Sequence, residues 1–283
     1  SEPCQCAVLS RGAREVKDFK RNALAYACVF AFPRGIAEEE LKPEVVLTDL
    51  AGQVSALPVD NEAVPHEYAD DNINLGPGFI NGKFSEFSMS APGEEDPLQL
   101  FLRMNGEVRA QNYRELAAAK ELTAPAPLWR DGFMKRPRSV KRGLFGDRRV
   151  YIHDGKIIDR QTHNGIDFAS YSRDRIPAAS SGVVLMARYL GIHGNMALLD
   201  HGLGVQSLYS HMSVVNVNPG QKVERGQLVG LTGTSGMAGG DHLHFEIFVG
   251  GYPVEPDEWL NRAWCEQLDK IIFANAAEVS RIP

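Results

Sequence analysis

Seven of the eight histidines fall between residues 153 and 244, which concentrates the imidazole groups in one part of the chain. Neutral imidazole is a common zinc ligand, and because its ordinary pKa lies near neutrality it can also move protons in catalysis. A single histidine in a folded domain is more often structural than functional, but seven in one segment predict a metal or catalytic site. These residues are His153, His163, His193, His201, His211, His242 and His244.

His242 and His244 stand two positions apart in the stretch GGDHLHFEIFVGG. Side chains at this spacing share one face of a β-strand, whereas on a helix they point in widely different directions. The apolar neighbours Leu243 and Phe245 supply the opposite face of such a strand. The pattern therefore predicts a strand that presents both imidazoles to one site.

A second pair, His163 and Asp167, lies in the stretch THNGIDFA. A spacing of four fits one face of either a strand or a helix, and the flanking Ile166 and Phe168 favour the strand. A catalytic zinc usually keeps three protein ligands and one water. Two such pairs on neighbouring strands can supply the three ligands and leave one histidine over, and the spacing does not select which one.

The elements that must carry these residues are short apolar runs separated by glycine, which begin near residue 148. Runs such as GVVLMARYL, NMALLDHG and GVQSLYSHMS follow one another at short intervals, which is typical of an antiparallel all-β domain. In the last run Tyr209 and His211 are two apart and share a predicted strand face. The final stretch PDEWLNRAWCEQLDKIIFANAAE has Pro256, two acids and apolar residues at helical spacing, which predicts a C-terminal helix packed on the sheet.

The first 125 residues differ, because glycine, proline and asparagine interrupt short strand-like runs. We expect two strands around a turn within residues 43–60, strand-like pieces at 83–89 and 98–104, and a helix over 112–122, which is rich in strong helix formers. The proline-punctuated stretch TAPAPLW then predicts a domain boundary. The expected fold class is mainly β, with a β-rich accessory or regulatory domain over 1–125 and an antiparallel β-sheet domain with a C-terminal helix over 126–283.

Composition limits the classes of function. The chain has 283 residues, 43% apolar content and a formal net charge of −6, which is the profile of a globular protein. No apolar run approaches the ~20 residues needed to span a bilayer, so no transmembrane segment is expected in the chain. Basic residues are spread out apart from a run at 135–143, which is expected to be a solvated linker. Nucleic acid is therefore not an expected partner.

The cysteines leave the redox state open. Cys4, Cys6, Cys28 and Cys265 permit two disulfides in an oxidising compartment, with four buried thiols as the alternative. A link from Cys4 or Cys6 to Cys265 would join the two chain ends. A zinc site built on cysteine is disfavoured, because the spacing lacks the usual gap of two to four residues. The chain begins at Ser1 without methionine, so removal of a signal peptide is compatible with the sequence.

Four stretches, HNGIDFA, GNMALLDHGLGVQSLYSHMS, NPGQKVERGQLVGLTGTSG and HLHFEIFVGG, together resemble the zinc peptidase domain of the lysostaphin-type (LytM-type) peptidoglycan endopeptidases. The resemblance covers roughly residues 144–260 and implies the half-barrel-related antiparallel sheet of that family. It implies that His163, Asp167 and His244 hold one zinc ion per chain. It also implies that His211 and His242 form the catalytic pair.

The same resemblance implies hydrolysis of the peptide cross-bridges of bacterial cell-wall peptidoglycan, with peptidoglycan peptides as the partner. The protein is then expected in the bacterial cell envelope, either periplasmic or secreted. His211 and His242 would serve as proton acceptor and donor, and Tyr209 would donate a hydrogen bond to the tetrahedral intermediate. The chain contains no His-Glu-x-x-His motif, so the helical metalloprotease plan is excluded.

Two residues beside the His-Leu-His motif allow two interpretations each. The resembled family often has Ser-Thr-Gly-Pro before this motif, whereas this chain has SGMAGGD. Asp241 either shifts the protonation of His242 or is a turn residue, and the turn is favoured. Glu246 either orients an imidazole or is a surface charge of the sheet. His201, in DHGLG, is expected to be structural at a hairpin turn.

Two other functions fit parts of the sequence. A non-catalytic envelope protein of the same fold would bind or activate other wall hydrolases, but all five site residues are intact here. The stretch 182–230 also resembles the half-barrel of lipoyl and biotinyl carrier domains. Its only lysine, Lys222, follows the NPG turn as a strand start and does not stand at a hairpin tip, which disfavours a carrier.

Overall fold

The computed structural model describes residues 7–8, 26–27, 29–37, 40–48, 51–59, 66–93 and 96–273. Within these ranges no helix is long and apolar enough to cross a bilayer. Cys4, Cys6 and Cys28 lie outside them. Cys265 is a buried free thiol that donates a hydrogen bond to the carbonyl oxygen of Trp259, in agreement with the alternative of buried thiols at this position.

The segment before residue 125 combines short strands with helices. Its strands are β1 (Ala7–Val8), β2 (Tyr26–Ala27), β3 (Glu44–Thr48), β4 (Val54–Pro58) and β5 (Asp70–Asn74). Its helices are α1 (Pro77–Ser90), α2 (Pro97–Arg103) and α3 (Arg109–Ala118), with a π-helical turn (Met104–Val108) before α3 and a 3₁₀ turn (Ala119–Leu122) after it. Strands β3 and β4 pair as the hairpin predicted within 43–60, and the helix predicted over 112–122 is present as α3 and its 3₁₀ extension.

The strand-like pieces predicted at 83–89 and 98–104 are wrong, because both stretches are helical. Asp96 caps α2 by accepting a backbone hydrogen bond from the first turn, and Pro97 occupies the first helical position. Leu98, Leu100 and Leu102 stand at alternate positions, which is also typical of a strand. The buried apolar residues of α2 and the turn after it are Leu100, Phe101 and Met104, and this spacing is helical.

After residue 125 the chain is mainly β, as predicted. Its strands are β6 (Val140–Gly143), β7 (Arg148–His153), β8 (Lys156–Thr162), β9 (Ile166–Ala169), β10 (Arg175–Pro177), β11 (Gly182–Leu190), β12 (Gly194–Asp200), β13 (Val205–Met212), β14 (Val214–Val215), β15 (Lys222–Val223), β16 (Leu228–Leu231), β17 (Leu243–Val249) and β18 (Tyr252–Val254). The main sheet has the order β15-β11-β12-β13-β17-β9-β6, with β18 beside β17, and its pairings are antiparallel. Strands β10, β16 and β14 form a smaller sheet. Lys222 begins strand β15, in agreement with its predicted strand-start position.

The predicted C-terminal helix is present as two helices, α4 (Pro256–Trp259) and α5 (Arg262–Phe273). Asn261 stands between them, and its side-chain oxygen accepts hydrogen bonds from backbone N–H groups in the first turn of α5. Both helices cover one face of the main sheet, where Trp259 and Ile272 join its apolar core.

The central strands of the main sheet are buried on both faces. On one face of β17, Phe245 joins the core beneath α4 and α5. On the other face Phe248 lies in a cluster with Leu116 of α3. Because side chains alternate along a strand, His244 and Glu246 share the face of Phe248. The polar residues of β17 therefore point toward the helical segment, which comprises α1, α2 and α3, and not toward the C-terminal helices α4 and α5.

The helical segment packs onto the strands that follow it in the chain. Strand β5 pairs in parallel with β7, and β8 completes this three-stranded sheet. On α3, the Asn112 side-chain oxygen accepts a hydrogen bond from the Ile192 N–H at 3.0 Å. The boundary predicted near residue 125 is thus crossed by a sheet and by buried hydrogen bonds.

Candidate metal and catalytic site

The predicted metal ligands meet where β9 and β17 pair. Asp167 on β9 lies directly opposite His244 on β17, and His163 stands in the link between β8 and β9. Asp167 Oδ1 is 2.8 Å from His244 Nδ1 and 3.1 Å from His163 Nε2, and the two ring nitrogens are 2.9 Å apart. All three side chains are buried. The structure therefore brings these three residues together in one cluster.

A glycine lets the link that carries His163 approach β17. A Cβ atom at Gly165 would stand 2.3 Å from the carbonyl oxygen of Phe245, so a side chain at this position would force the two segments apart. The main chain of His163 is held on the other side, since its N–H donates to the Asp147 carbonyl at 2.9 Å and its own carbonyl accepts from the Gly146 N–H at 2.7 Å. Backbone contacts thus fix the position of this imidazole.

Hydrogen bonds select which nitrogen of each ring points into the cluster. His163 Nδ1 donates to the carbonyl oxygen of Leu144 at 2.8 Å, so in the neutral ring Nε2 carries a lone pair. His244 Nε2 donates to Glu246 Oε1 at 2.6 Å, so in the neutral ring its Nδ1 carries a lone pair as well. Two lone pairs and a carboxylate oxygen then converge, and a cation between them makes this arrangement favourable. Two nitrogens and one oxygen form a donor set that suits zinc.

The pKa values of the three clustered side chains also indicate that one positive charge stabilises the cluster. Burial lowers the pKa of His163 to about 4. Burial acts in the same direction at His244, but hydrogen bonds to Asp167 and Glu246 outweigh it and raise the pKa of His244 to about 9. Burial would raise the pKa of Asp167, yet the neighbouring imidazoles hold it well below its ordinary value. One positive charge is therefore favoured here, either a proton on His244 or a metal ion.

Arg149 on β7 belongs to the site although the sequence did not indicate it. Its guanidinium contacts Asp167 Oδ2, and its Nε lies 3.6 Å from a carboxylate oxygen of Asp71. Only Oδ1 of Asp167 is then directed at the imidazoles, which favours metal binding through a single carboxylate oxygen. The sequence pattern does not predict this contact. Charged residues such as Arg148 and Arg149 are common on strands that contribute to no buried site.

The predicted catalytic pair, His211 and His242, lies beside the ligand cluster. Their ring centroids are 4.9 Å apart, and the His211 ring lies 5.7 Å from that of His244. Each Nδ1 is 2.8 Å from a carbonyl oxygen, that of Ser235 for His211 and that of Gly240 for His242. His242 Nε2 is 3.5 Å from Asp167 Oδ1. Burial lowers the pKa of His211 well below its ordinary value, so this ring is neutral and can accept a proton.

A β-bulge directs His211 into the site. Between the paired positions Asn195–Met212 and Ala197–Tyr209, strand β13 has one residue more than β12. His211 lies within this interval and has a φ of +62°, a left-handed conformation that is rare for residues other than glycine. The bulge breaks the alternation of side chains, so His211 does not share the face of Tyr209.

The predicted role of Tyr209 in the site is therefore not supported by its position. Tyr209 pairs with Phe245, and its ring lies in the core on the face of β17 opposite to His244. Its hydroxyl accepts hydrogen bonds from the Ala179 N–H at 2.8 Å and from Ser207 Oγ at 3.0 Å. Strict strand alternation placed it with His211, and the bulge between them is the reason that this prediction fails.

Glu246 orients an imidazole, which decides between the two interpretations that the sequence allowed. It is 0% exposed, so it is not a surface charge. Besides His244 Nε2, its Oε1 accepts a hydrogen bond from the hydroxyl of Tyr113 on α3 at 2.8 Å. His193, which lies outside the motifs, completes the surroundings with its ring 6.2 Å from that of His244 and 5.4 Å from that of Tyr113. His193, His244 and Glu246 form a second group whose potential ligand atoms lie within 4.8 Å of one another.

Helix α1 contacts the loop between β16 and β17, which carries the carbonyl oxygen that accepts the hydrogen bond of His211. Glu86 accepts a hydrogen bond from the Gly236 N–H, and Lys83 donates to the carbonyl oxygen of Thr234. Ser235 stands between these two anchored positions and accepts the hydrogen bond of His211 Nδ1 through its carbonyl oxygen. Neither contact was indicated by the sequence, because residues about 150 positions apart form them.

Two further predictions concern residues near the site. Asp241 lies in a bend before β17, and its Oδ2 accepts hydrogen bonds from Ser172 Oγ and the Arg173 N–H, each at 3.1 Å. His201 is structural, because its ring nitrogens lie 2.7 Å from the Ser181 carbonyl oxygen and 2.7 Å from Ser207 Oγ.

Comparisons with known proteins match the part of the chain that carries this site. The model of peptidase family M23 matches residues 161–256, a range that contains both His-x-His histidines, His163, Asp167 and His211. The peptidoglycan DD-endopeptidase ShyA of Vibrio cholerae is 42% identical over 202 residues, which covers 65% of this chain and 44% of that protein. This is more of the chain than lies from residue 161 to its end, so the similarity reaches into the preceding segment.

Two other similarities concern smaller parts. The murein hydrolase activator EnvC of Escherichia coli is 37% identical over 87 residues, which covers 31% of this chain and 21% of that protein. The catalytic domain of the antimicrobial peptidase lysostaphin from Staphylococcus simulans matches in structure with a TM-score of 0.38 and 27% identity, over 43% of this chain and 92% of that one. The chain spans less than half of the length of the two curated relatives.

Proposed function

We propose that this protein is a zinc-dependent endopeptidase that hydrolyses the peptide cross-bridges of bacterial peptidoglycan, because the model of peptidase family M23 matches residues 161–256. The observation that carries the proposal is the convergence of His163 Nε2, Asp167 Oδ1 and His244 Nδ1, whose lone pairs need a cation between them. The name of the Vibrio relative supports peptidoglycan as the substrate and makes the DD-type cross-link the first bond to test.

In this mechanism each residue has a distinct task. His163, Asp167 and His244 would hold the metal, and Arg149 keeps the second oxygen of Asp167 occupied. A zinc ion bound there would lower the pKa of a bound water to about 7 and would polarise the scissile carbonyl. His211, neutral and with Nδ1 committed to a carbonyl oxygen, accepts a proton at Nε2.

His242 is the second member of the catalytic pair. Its Nδ1 is engaged by the Gly240 carbonyl, so its Nε2 is the atom available to the substrate side of the cluster. In the protonated form it donates a hydrogen bond to the developing oxyanion or a proton to the leaving amine. Tyr209 has no part in this scheme, because its hydroxyl is enclosed on the other face of the sheet.

The location follows from the substrate. A peptidoglycan hydrolase must meet its substrate in the bacterial cell envelope, and we propose a periplasmic or secreted protein. Peptidoglycan peptides are its proposed partner, with one zinc ion per chain as cofactor.

Two measurements on the purified protein test the proposal. Metal analysis is expected to find one zinc per chain after gentle preparation, and digestion of defined peptidoglycans is expected to release new peptide termini that identify the cleaved bond. Treatment with a chelator should stop the digestion, and added zinc should restore it. Absence of stoichiometric metal, or of new termini with the metal-loaded protein, contradicts the proposal.

A non-catalytic activator is the second candidate, favoured by the similarity to EnvC. It predicts no cleavage by the purified protein alone and increased cleavage when a separate wall hydrolase is added. The presence of all three clustered ligands and of the adjacent pair His211 and His242 supports the peptidase over this alternative.

A further inference from the structure

We propose that Tyr113 is a positioning residue for the metal ligand His244 and that it acts through Glu246. The inference rests on the proposed zinc site and adds to it a residue of α3, which lies before the matched family domain. The metal centre then includes a part of the chain outside the peptidase domain.

A single carboxylate oxygen joins the two side chains. Tyr113 donates its hydroxyl hydrogen to Glu246 Oε1 at 2.8 Å, and His244 Nε2 donates to the same oxygen at 2.6 Å. Among the described residues Oε2 of Glu246 has no hydrogen-bond partner. The position of this oxygen, and with it the rotation of the His244 ring, is therefore set by two donors.

Glu246 needs the second donor because it is completely buried. A buried carboxylate that loses a hydrogen bond suffers a desolvation cost that exceeds the value of an average surface hydrogen bond. It then turns toward other donors, and the imidazole that it holds turns with it. The Tyr113 hydroxyl remains a donor at all ordinary pH values, since burial and the charge of Glu246 raise the pKa of Tyr113 well above its usual value.

Helix α3 is firmly fixed against the sheet, so it can act as a support. Leu116 is 0% exposed, and Asn112 accepts the Ile192 N–H just before β12. The Tyr113 ring packs edge-on against His193, and its outer side lines a cavity of about 370 Å³ together with Tyr252. The tyrosine thus stands between that cavity and the carboxylate of Glu246.

The expected effect is a loss of metal affinity. Removal of a partner that orients a metal-binding histidine usually lowers the metal affinity about 10- to 100-fold. Tyr113 contacts His244 only through Glu246. Tyr113→Phe should therefore lower the zinc affinity about tenfold, at the lower end of that range. The substitution keeps the ring and removes only the hydroxyl.

The test is a double-mutant cycle in the full chain, with the zinc dissociation constant measured by competition against a chromophoric chelator. Wild type, Tyr113→Phe, Glu246→Gln and the double variant are compared. Tyr252→Phe is the matched control, since Tyr252 lines the same cavity and no hydrogen bond of its hydroxyl is part of the network. The absorption bands of the cobalt-substituted proteins report ligand geometry independently of activity.

We expect Tyr113→Phe to raise the zinc dissociation constant about tenfold in the wild-type background and less than about twofold in the Glu246→Gln background. The control should bind zinc as wild type does. Equal zinc affinity of Tyr113→Phe and wild type, or equal effects of the substitution in both backgrounds, would overturn the inference while leaving the zinc site intact. If wild type itself binds no zinc, the proposed function and this inference both fall. Should Tyr113→Phe fail to fold, Glu246→Gln alone decides, because unchanged zinc affinity in that variant removes the link through which Tyr113 acts.

Discussion

The proposed metal ligands and the proposed catalytic pair are built in different ways although they lie side by side. His163, Asp167 and His244 are held by the register of two paired strands and by a backbone-anchored link. His211 and His242 stand at a bulge and at the entry to β17, and their rings are held by carbonyl groups of the loop between β16 and β17. Metal binding should therefore be separable from turnover by single substitutions.

The helical segment supports both regions, but with different helices. Tyr113 of α3 reaches the ligand cluster through Glu246, whereas Lys83 and Glu86 of α1 hold the loop beside the catalytic pair. The segment that the sequence predicts to be an accessory or regulatory domain thus provides contacts to each half of the site.

The largest effect is expected for His244→Ala. The variant loses one of three ligands and leaves Asp167 and His163 without their partner, so zinc content should fall from one per chain to near zero. Peptidoglycan cleavage should drop below detection, which means at least about a thousandfold. Metal analysis after gel filtration measures the first effect, and retention of stoichiometric zinc would show that His244 is not a ligand.

His242→Ala should instead keep zinc and lose turnover. Loss of a positioned proton donor or acceptor typically costs about 10²- to 10⁴-fold in rate. The informative measurement is the ratio of cleavage rate to bound zinc, because His244→Ala lowers both quantities and His242→Ala only the first. If His242→Ala released the metal, the division between the two regions would be wrong.

A smaller effect is expected for Glu86→Ala, which removes the acceptor for the Gly236 N–H. The loop that carries the Ser235 carbonyl should lose part of its anchoring, so turnover should decrease about three- to tenfold, corresponding to roughly 1 kcal/mol for one hydrogen bond, while zinc affinity stays unchanged. Glu115→Ala, on α3 of the same helical segment, is the control, since Glu115 forms an exposed ion pair with Arg188 of β11. A change in zinc affinity without a change in turnover would contradict the assignment of α1 to the catalytic half.

The smallest effect on activity is expected for Tyr209→Phe. Its hydroxyl lies in the core, so cleavage should stay within about twofold of wild type, while the free energy of unfolding should fall by about 1 kcal/mol because the Ala179 N–H loses its acceptor. Thermal or denaturant unfolding of the metal-loaded protein measures the second quantity. A large loss of turnover without loss of stability would restore Tyr209 to the site.

The sequence predicted the parts of the site that follow a regular period. In β17, His244 and Glu246 alternate with Leu243, Phe245 and Ile247, and this pattern is sufficient to predict a strand with one polar face. The bulge at His211 has no such signature, since one extra residue changes the face of a side chain without changing the composition. For this reason His211 was identified through family resemblance, and its neighbour Tyr209 was assigned to the wrong face.

Long-range contacts explain the rest of what the sequence did not predict. Tyr113 and Glu246 are separated by 133 positions, so local patterns contain no information on their contact. The helix at 97–103 was missed because its alternating leucines imitate a strand, and burial against the following strands decides in favour of the helix. Residue spacing predicts an element well when one face dominates, and less well when packing against a distant segment selects between two periods.

The most direct test of the central claim is the position of the metal in crystals of the full chain. An anomalous difference map recorded at the zinc absorption edge should show one strong peak at about 2.0–2.2 Å from His163 Nε2, Asp167 Oδ1 and His244 Nδ1, as is usual for zinc bonded to imidazole and carboxylate. A peak among His193, His244 Nε2 and Glu246, or no peak from zinc-loaded protein, would contradict the account.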